Sequence, residues 1–553
     1  MRIEALLIAL VAGHVSNVLA SGPASAAASV TSTSTSNGII LDYGTLFGKN
    51  SPDGTAKLWL GIPYAAPPVG ALRFKPPAAP QNLGNSFQAT SFGNWCPQDP
   101  VQSIINIATP TQSEDCLTLN VYAPVNSSSN SSLPVMVFIH GGSYDSGSGG
   151  SEEYNGTNLI KNSPTPVIVV TFNYRLGVLG YLSSQELLDD GSTNPGMLDQ
   201  VAAFTWVKKY IGAFGGDSTR ITAFGESAGA QSIGAHLISY GGNQTIFGRA
   251  ILESGSTLSG PLPMANSANS NTAFNAIASY VNCNTSTSKV NCMRNVTWQA
   301  MYNAQSTYQQ TLNSVVRIGL FTPVVDGKYI LTKPTAAVTQ GLFSKTPIML
   351  GTNSQEGTLF VPGSVDLAEQ FYNASYALSL FVQSFSSALP AGSANTVLSL
   401  YPVSSYNNSA VRAAGDIFAD LAFTCPAMNL SRAMTAAGVP VYKYRFNQLL
   451  LQAQTLWARD GVFHSTELPF VFATGIAPSE LPLSQTIIGF WTRFAATGNP
   501  NGGNATWPVY AAGGPQIVLQ SSTLPSLSTE SDPSKDAQCA FWQSPSIQPL
   551  VDH

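Results

Sequence analysis

The sequence has few charged residues. Asp, Glu, Lys and Arg make up 10% of its 553 residues, whereas an average globular protein contains roughly 25%. The formal net charge is −5, and a chain so poor in cations is not suited to neutralise phosphates, which argues against nucleic-acid binding. A hydrophobic content of 44% with this small net charge also excludes intrinsic disorder. The length allows a sizeable core.

Long hydrophobic runs are also missing. No stretch after the first residues approaches the roughly 20 apolar residues of a membrane span, so we expect no stable membrane insertion. The beginning of the chain has Arg2, an apolar run over 5–12 and then small residues, the order of a secretory signal. We therefore predict a secreted protein. Its expected parts are a signal peptide at 1–20 (cleavage could extend to 26), a flexible Ser/Thr-rich leader at 21–37 and one large domain at 38–553.

Cysteine is rare, and neither Cys-x-x-Cys nor a His/Cys cluster occurs, so the sequence predicts no metal site. The six cysteines suggest three disulfides in an exported chain, but the count does not fix their pairing. They are Cys96, Cys116, Cys283, Cys292, Cys425 and Cys539. Asn-x-Ser/Thr sequons support a glycosylated surface, although an Asn- and Ser-rich composition produces some by chance. The sequons begin at Asn126, Asn130, Asn155, Asn243, Asn284, Asn295, Asn373, Asn407, Asn429 and Asn504.

Short apolar runs alternate with a helical pattern in the middle of the chain. Three runs are typical of fully buried strands. They are residues 135–139, 167–172 and 221–224. Leu198, Ala202, Trp206 and Tyr210 recur at helical spacing and predict a helix with one apolar face. Buried strands that alternate with helices favour an α/β fold, with a mostly parallel sheet covered on both faces.

The most informative motif is Gly225-Glu226-Ser227-Ala228-Gly229, directly after the strand predicted at 221–224. A G-x-S-x-G sequence between a strand and a helix is typical of a nucleophilic serine held on a sharp turn. The flanking glycines allow that turn and the close approach of neighbouring backbone. Ser227 is therefore the candidate nucleophile.

A second glycine turn follows the strand predicted at 135–139. His140-Gly141-Gly142-Ser143 leaves backbone N–H groups open, as an oxyanion hole requires. An ordinary glycine turn is the alternative. Together with the N–H of Ala228, the residue after the nucleophile, Gly141 and Gly142 complete the expected hole.

Elimination selects the base. Of the five histidines, His14 lies in the signal segment and His553 is the last residue. His140 belongs to the oxyanion turn, and His236 lies nine residues past Ser227, on the predicted helix that follows it. His464 remains as the candidate general base.

The acid is less clear from the residues alone. In α/β-hydrolases it lies between the nucleophile and the histidine along the chain. The candidates include Asp326, Glu356, Asp366, Glu369, Asp416, Asp420 and Asp460. Glu356 is favoured because it follows a short apolar run over 348–353 that ends in a Gly/Asn turn. The other carboxylates can equally serve as surface charges or ion-pair partners.

These motifs resemble the type-B carboxylesterase/lipase family, the group that contains cholinesterases and large fungal lipases. The resemblance covers about residues 38–542. Besides the Ser227 turn, its markers are Gly61-Ile62-Pro63-Tyr64-Ala65, Arg73-Phe74, Glu114-Asp115-Cys116-Leu117-Thr118-Leu119-Asn120-Val121, Asn173-Tyr174-Arg175-Leu176-Gly177, Phe214-Gly215-Gly216-Asp217, Asn353-Ser354-Gln355-Glu356-Gly357 and residues 464–470.

The resemblance implies an α/β-hydrolase fold in one large domain and a serine esterase that needs no cofactor. It implies a triad of Ser227, Glu356 and His464, with Gly141, Gly142 and Ala228 as the oxyanion hole. It also implies the disulfides Cys96–Cys116, Cys283–Cys292 and Cys425–Cys539. The expected partner is a small-molecule or lipid ester, and the oligomeric state stays open.

One loop departs from the family pattern. In relatives, the loop closed by the first disulfide covers the mouth of the active site. Here it has 19 residues, 97–115, none of them aromatic. Such a short, sparsely apolar flap has little surface to dock on lipid and no ring to hold a quaternary ammonium. We therefore expect monomeric short- to medium-chain esters as substrates. The alternatives are a lipase or sterol esterase and, in another class, a catalytically silent adhesion protein.

Overall fold

The structure is a computed structural model that describes residues 38–98, 111–312, 320–386, 389–451, 459–503, 506–524, 527–531 and 535–547. The predicted signal peptide and leader therefore lie outside the described residues. So do most of the flap (99–110), including its four large aliphatic residues, and the sequon at Asn504.

An 11-stranded sheet forms the centre of the fold, in the order β14-β13-β12-β11-β10-β9-β7-β8-β6-β4-β3. The strands from β13 to β8 in that order are parallel, and the remaining pairs are antiparallel. A separate small sheet contains β1, β2 and β5. The strands are β1 Ile39–Leu41, β2 Gly44–Phe47, β3 Lys49–Asn50, β4 Ala56–Pro63, β5 Phe87–Gln88, β6 Thr118–Pro124, β7 Leu133–Ile139, β8 Ile168–Phe172, β9 Gly216–Glu226, β10 Arg249–Glu253, β11 Ile348–Asn353, β12 Val441–Phe446, β13 Pro515–Leu519 and β14 Thr529–Ser531.

Helices cover both faces of this sheet. In β7, Val135, Val137 and Ile139 pack into one buried cluster, while Met136 and Phe138 pack into another on the opposite face. Strands buried on both faces need continuous apolar sequence, which the predicted runs have. The α/β prediction and its three strands are confirmed.

The α-helices among the described residues are α1 Gly156–Asn162, α2 Gly177–Tyr181, α3 Gln185–Asp189, α4 Pro195–Tyr210, α5 Ala228–Ile238, α6 Ala268–Tyr280, α7 Lys289–Arg294, α8 Trp298–Gln310, α9 Pro334–Thr339, α10 Gly363–Phe371, α11 Ala374–Ser386, α12 Ser393–Leu400, α13 Ala410–Ala419, α14 Cys425–Ala436, α15 Leu468–Phe472, α16 Leu481–Thr497 and α17 Asp536–Trp542. A π-turn, Asp420–Thr424, joins α13 to α14. Within the described residues, no helix is long and apolar enough to cross a membrane.

The predicted helix over 198–210 exists as α4, but its buried face differs from the expected one. Of the four residues that suggested the face, only Trp206 is fully buried. The fully buried residues on α4 include Met197, Gln200, Phe204 and Val207. Polar Gln200 belongs to the interior because its amide bonds Ser232 and His236, and an apolar pattern could not include it.

Three disulfides close loops of different length. Cys96–Cys116, Cys283–Cys292 and Cys425–Cys539 span sequence separations of 20, 9 and 114 residues. This is the pairing that the family resemblance implied. The third bond ties α17 to the start of α14, within a separate apolar cluster that contains residues of α10 to α14 and Trp542.

Candidate active site

Ser227 lies at the turn between β9 and α5, the strand–turn–helix context that the sequence indicated. Its backbone has φ 57° and ψ −121°, a conformation that costs a non-glycine residue energy and persists only where the surroundings enforce it. The Ser227 N–H donates to the carbonyl of Glu253 on β10 at 2.9 Å. The neighbouring strand therefore helps to hold the turn.

Position 141 has no room for a side chain. A Cβ atom there would lie 2.7 Å from Oε2 of Glu226 and 3.1 Å from the Cβ of Ser227. The turn after β7 therefore comes into direct contact with the serine. Gly142 follows with φ 101°, and Ala228 is the first residue of α5, so its N–H has no acceptor within the helix.

His140 supports this turn. It is fully buried, its Nδ1 lies 2.8 Å from the carbonyl oxygen of Gly141, and its ring stacks on Tyr174 with centroids 4.4 Å apart. Burial lowers the pKa of His140 to about 4. A neutral imidazole in this position stabilises the shape of the turn.

Glu356 and His464 form a buried pair. Nδ1 of His464 donates to Oε2 of Glu356 at 2.7 Å, and neither side chain is appreciably exposed. The other oxygen of Glu356 accepts from the backbone N–H of Asn353 and from Oγ of Ser254, both at 2.6 Å. The carboxylate is therefore fixed, and it sets the orientation of the imidazole.

The other ring nitrogen of His464 faces Glu226. Nε2 lies 3.1 Å from Oε1 of Glu226 and has no hydrogen-bond partner among the described residues. The structure contains no hydrogen bond between this nitrogen and Oγ of Ser227. Glu226 also accepts from Oγ of Ser465 at 2.6 Å.

Burial and the neighbouring carboxylates shift the pKa of His464 in opposite directions. Burial lowers its pKa, but the charges of Glu226 and Glu356 and the hydrogen bond to Glu356 outweigh that effect, so the pKa is raised above its ordinary value. For Glu226, burial is the largest effect and raises the pKa to about 7. Two groups whose pKa values are both raised thus face each other at 3.1 Å.

The other carboxylates considered from the sequence have structural partners elsewhere. Asp326 accepts backbone N–H groups from its own turn, and Glu369 accepts one from Ala410. The remaining four form ion pairs with Arg459 or Lys535. They are Asp366, Asp416, Asp420 and Asp460.

The sequence analysis did not identify two serines that lie at the site. Ser254 bonds Glu356, and Ser465 bonds Glu226. Ser254 follows the apolar strand β10, whose carboxyl end lies at the same sheet edge as Ser227, so strand position was an available signal. Ser465 directly follows His464, and nothing in its local sequence indicates a partner 239 residues away.

A cavity of about 630 Å³ opens beside Ser227 and Ala228, and both residues line it. None of the described residues that line it is Asp, Glu, Lys or Arg. Aromatic rings form part of the wall, and one of them, Phe423, packs on His464 with ring centroids 4.6 Å apart. The described residues contain no cluster of His, Cys, Asp or Glu that could hold a metal ion.

The sequence matches the carboxylesterase family over residues 35–542. The chain belongs to this family. It is 33% identical to para-nitrobenzyl esterase of Bacillus subtilis strain 168, over 92% of this chain and 98% of that protein. It is 29% identical to secreted lipase 4 of Gibberella zeae, over 92% and 91% of the two chains.

Solved structures agree with this membership. The crystal structure of Aspergillus niger EstA superposes with a TM-score of 0.79 and 28% identity, over 93% of this chain and 98% of that one. A thermophilic pNB esterase gives a TM-score of 0.76 with 32% identity, over 92% and 100% of the chains. The fold is thus that of the carboxylesterases, and this member of the family is a carboxylic ester hydrolase that acts on small-molecule esters.

Proposed function

We propose that the protein is a serine esterase in which Ser227 is the nucleophile, His464 the general base and Glu356 the acid that orients it. The observation that carries the proposal is the buried Glu356–His464 hydrogen bond of 2.7 Å at the sheet edge that presents Ser227. A base oriented by a third group beside an exposed nucleophile is the arrangement that activates a serine.

In this mechanism, Nε2 of His464 takes the proton as Oγ of Ser227 attacks the ester carbonyl. Catalytic hydrogen bonds of this kind often form only with substrate bound, so we expect Oγ of Ser227 to come within hydrogen-bond distance of Nε2 in the substrate complex. The N–H groups of Gly141, Gly142 and Ala228 stabilise the oxyanion. The alcohol leaves with the proton from His464, and water activated by His464 then releases the acid from the acyl-enzyme.

The cavity indicates which esters fit. Its lining is uncharged and largely apolar, and a buried ionic group there would lack a partner at a large cost in free energy. The substrate we propose is therefore a neutral ester with apolar substituents, as a monomer with short to medium chains. The rate should follow substrate concentration smoothly through the solubility limit, whereas a sharp increase at that limit indicates a lipase.

Export and glycosylation complete the proposal. Seven of the sequon asparagines are exposed in the structure. They are Asn126, Asn130, Asn243, Asn284, Asn295, Asn373 and Asn407. A eukaryotic secretory host should release the protein with its N-terminus between residues 21 and 27, with a mass that falls after removal of N-glycans. Retention of the first 20 residues contradicts the secretory assignment.

The test of the nucleophile is labelling by an organophosphonate. The wild type should bind one equivalent and lose esterase activity, and Ser227→Ala should do neither. Ser239→Ala, which removes a serine at the other end of α5, is the matched control and should label normally. A wild type that remains unlabelled favours the adhesion alternative, and labelling that survives in Ser227→Ala assigns the nucleophile to another residue.

A further inference from the structure

Part of the cavity wall comes from a segment far from the catalytic motifs in sequence. Residues 535–547 contain α17 and the turn after it. Trp542 and Ile547 line the same cavity as Ser227 and are only 3% and 1% exposed. Their side chains therefore occupy space that a bound ester could otherwise use.

A disulfide and a polar network hold this segment in place. The disulfide joins Cys539, within α17, to Cys425. In the network, Nε1 of Trp542 donates to the hydroxyl of Tyr401, and that hydroxyl donates to Oδ2 of Asp420, both at 2.8 Å. Lys535 pairs with the same Asp420 oxygen at 3.1 Å. The indole orientation is thus fixed by a buried hydrogen bond.

The polar network ends on Asp420, in the π-turn Asp420–Thr424, and the disulfide ends on Cys425, the residue directly after that turn. In the turn, Leu421 and Phe423 line the cavity, and Phe423 packs on the ring of His464. π-turns inside helices occur frequently at functional sites. Here the turn directs side chains towards the base while its Asp420 and the adjoining Cys425 hold the 535–547 segment.

We propose that Trp542 and Ile547 determine which esters the enzyme accepts, by limiting the size of the acyl group in the cavity. The proposal rests on the function proposed above. Both side chains are apolar where they meet the cavity, so they select by shape and not by charge. Replacing Trp542 with a small residue enlarges the space available, and the gain falls on long or bulky neutral esters.

The test uses p-nitrophenyl esters from acetate to palmitate. In Trp542→Ala, the ratio of kcat/KM for decanoate to that for acetate should rise roughly tenfold, because the added space favours only the longer chain. Phe541→Ala is the matched control. Phe541 packs on Trp542 with centroids 4.9 Å apart and is not among the described residues that line the cavity. Its ratio should stay at the wild-type value.

An unchanged ratio in Trp542→Ala overturns the proposal, and so does an equal rise in both variants, which shows that loosening of α17 is the cause. If Trp542→Ala does not fold, Ile547→Ala decides. Its ratio should rise in the same direction, and an unchanged ratio overturns the proposal. Organophosphonate labelling separates the two levels. Normal labelling with an unchanged chain-length profile in the variants rejects only the proposed role of Trp542 and Ile547. A wild type without labelling or activity rejects both that role and the proposed esterase function.

Discussion

The sheet edge that carries the proposed catalytic residues and the cavity wall next to it are built in different ways. At the edge, Ser227 follows β9 and Glu356 follows β11, two parallel strands with β10 between them. Glu356 and His464 form a short buried hydrogen bond. The wall is formed largely by apolar side chains from helices and turns. The part of the wall from residues 535–547 depends on a disulfide and on one buried polar network.

In the functions we propose, the sheet edge carries out the reaction and the wall selects the ester. The proposed catalytic groups need well-defined distances, and they lie on segments that the sheet holds in place. The wall needs only shape, which many apolar residues can provide from distant parts of the chain. Mutations at the edge should therefore change the rate for every ester, while mutations in the wall should change the ranking of esters.

The largest effect should come from Glu356→Gln. Glutamine fills the same space but cannot stabilise the imidazolium, so kcat/KM should fall about 10⁴-fold for all esters alike. A chain-length series measures this. Glu369→Gln, which changes a carboxylate away from the cavity, should keep wild-type activity. A loss confined to long esters would show that Glu356 acts on the wall instead.

A smaller effect is expected for Gly141→Ala. The new methyl group meets Glu226 and Ser227 at 2.7 and 3.1 Å, so it displaces an N–H group of the oxyanion hole. The loss in kcat should be on the order of 10²–10³, with KM little changed. At Gly212 a Cβ meets nothing within 4 Å, so Gly212→Ala is the matched control. Equal kcat values for the two variants remove Gly141 from the hole.

The pH profile provides a third test. Activity should fall as the pH drops and His464 gains a proton, because an imidazolium cannot accept the serine proton. Glu226 raises the pKa of His464, so Glu226→Gln should lower that pKa and move the fall in kcat/KM towards lower pH by about 1 unit. The exposed change Glu152→Gln should leave the profile in place. A shift to higher pH in Glu226→Gln contradicts this assignment.

The smallest effect on short-ester activity should come from the disulfides. Replacing Cys425 and Cys539 with serine should lower the free energy of unfolding by roughly 5 kcal/mol. The same change at Cys283 and Cys292 should cost roughly 3, since loop entropy grows slowly with loop length. Urea unfolding measures both values, and acetate hydrolysis should persist in both variants. Similar losses would show that loop length does not control the stabilisation, since the paired cysteines are 114 and 9 residues apart in sequence.

The sequence predicted the elements whose signals are local. Buried strands appear as apolar runs, and Ser227 and Gly141 stand in motifs whose backbone geometry restricts residue choice. The residues alone left Glu356 among seven candidates, because an acid can reach the histidine from many loops, and the family resemblance singled it out. The face of α4 was misjudged because buried polar groups such as Gln200 carry no apolar signal. Trp542 was not foreseen, since its place depends on contacts between distant segments.

The bond between Cys425 and Cys539 also orders events during biosynthesis. A ribosome adds roughly 5–20 residues per second, so the second cysteine emerges roughly 6–23 s after the first, given their separation of 114 residues. During that interval the nascent polypeptide already contains Ser227, Glu356 and the glycine turns, while the cavity still lacks the wall residues Trp542 and Ile547. By the role proposed for Trp542 and Ile547, the part of the wall that selects esters is then synthesised last, and an expression host with a reducing interior should yield material that hydrolyses esters with relaxed discrimination.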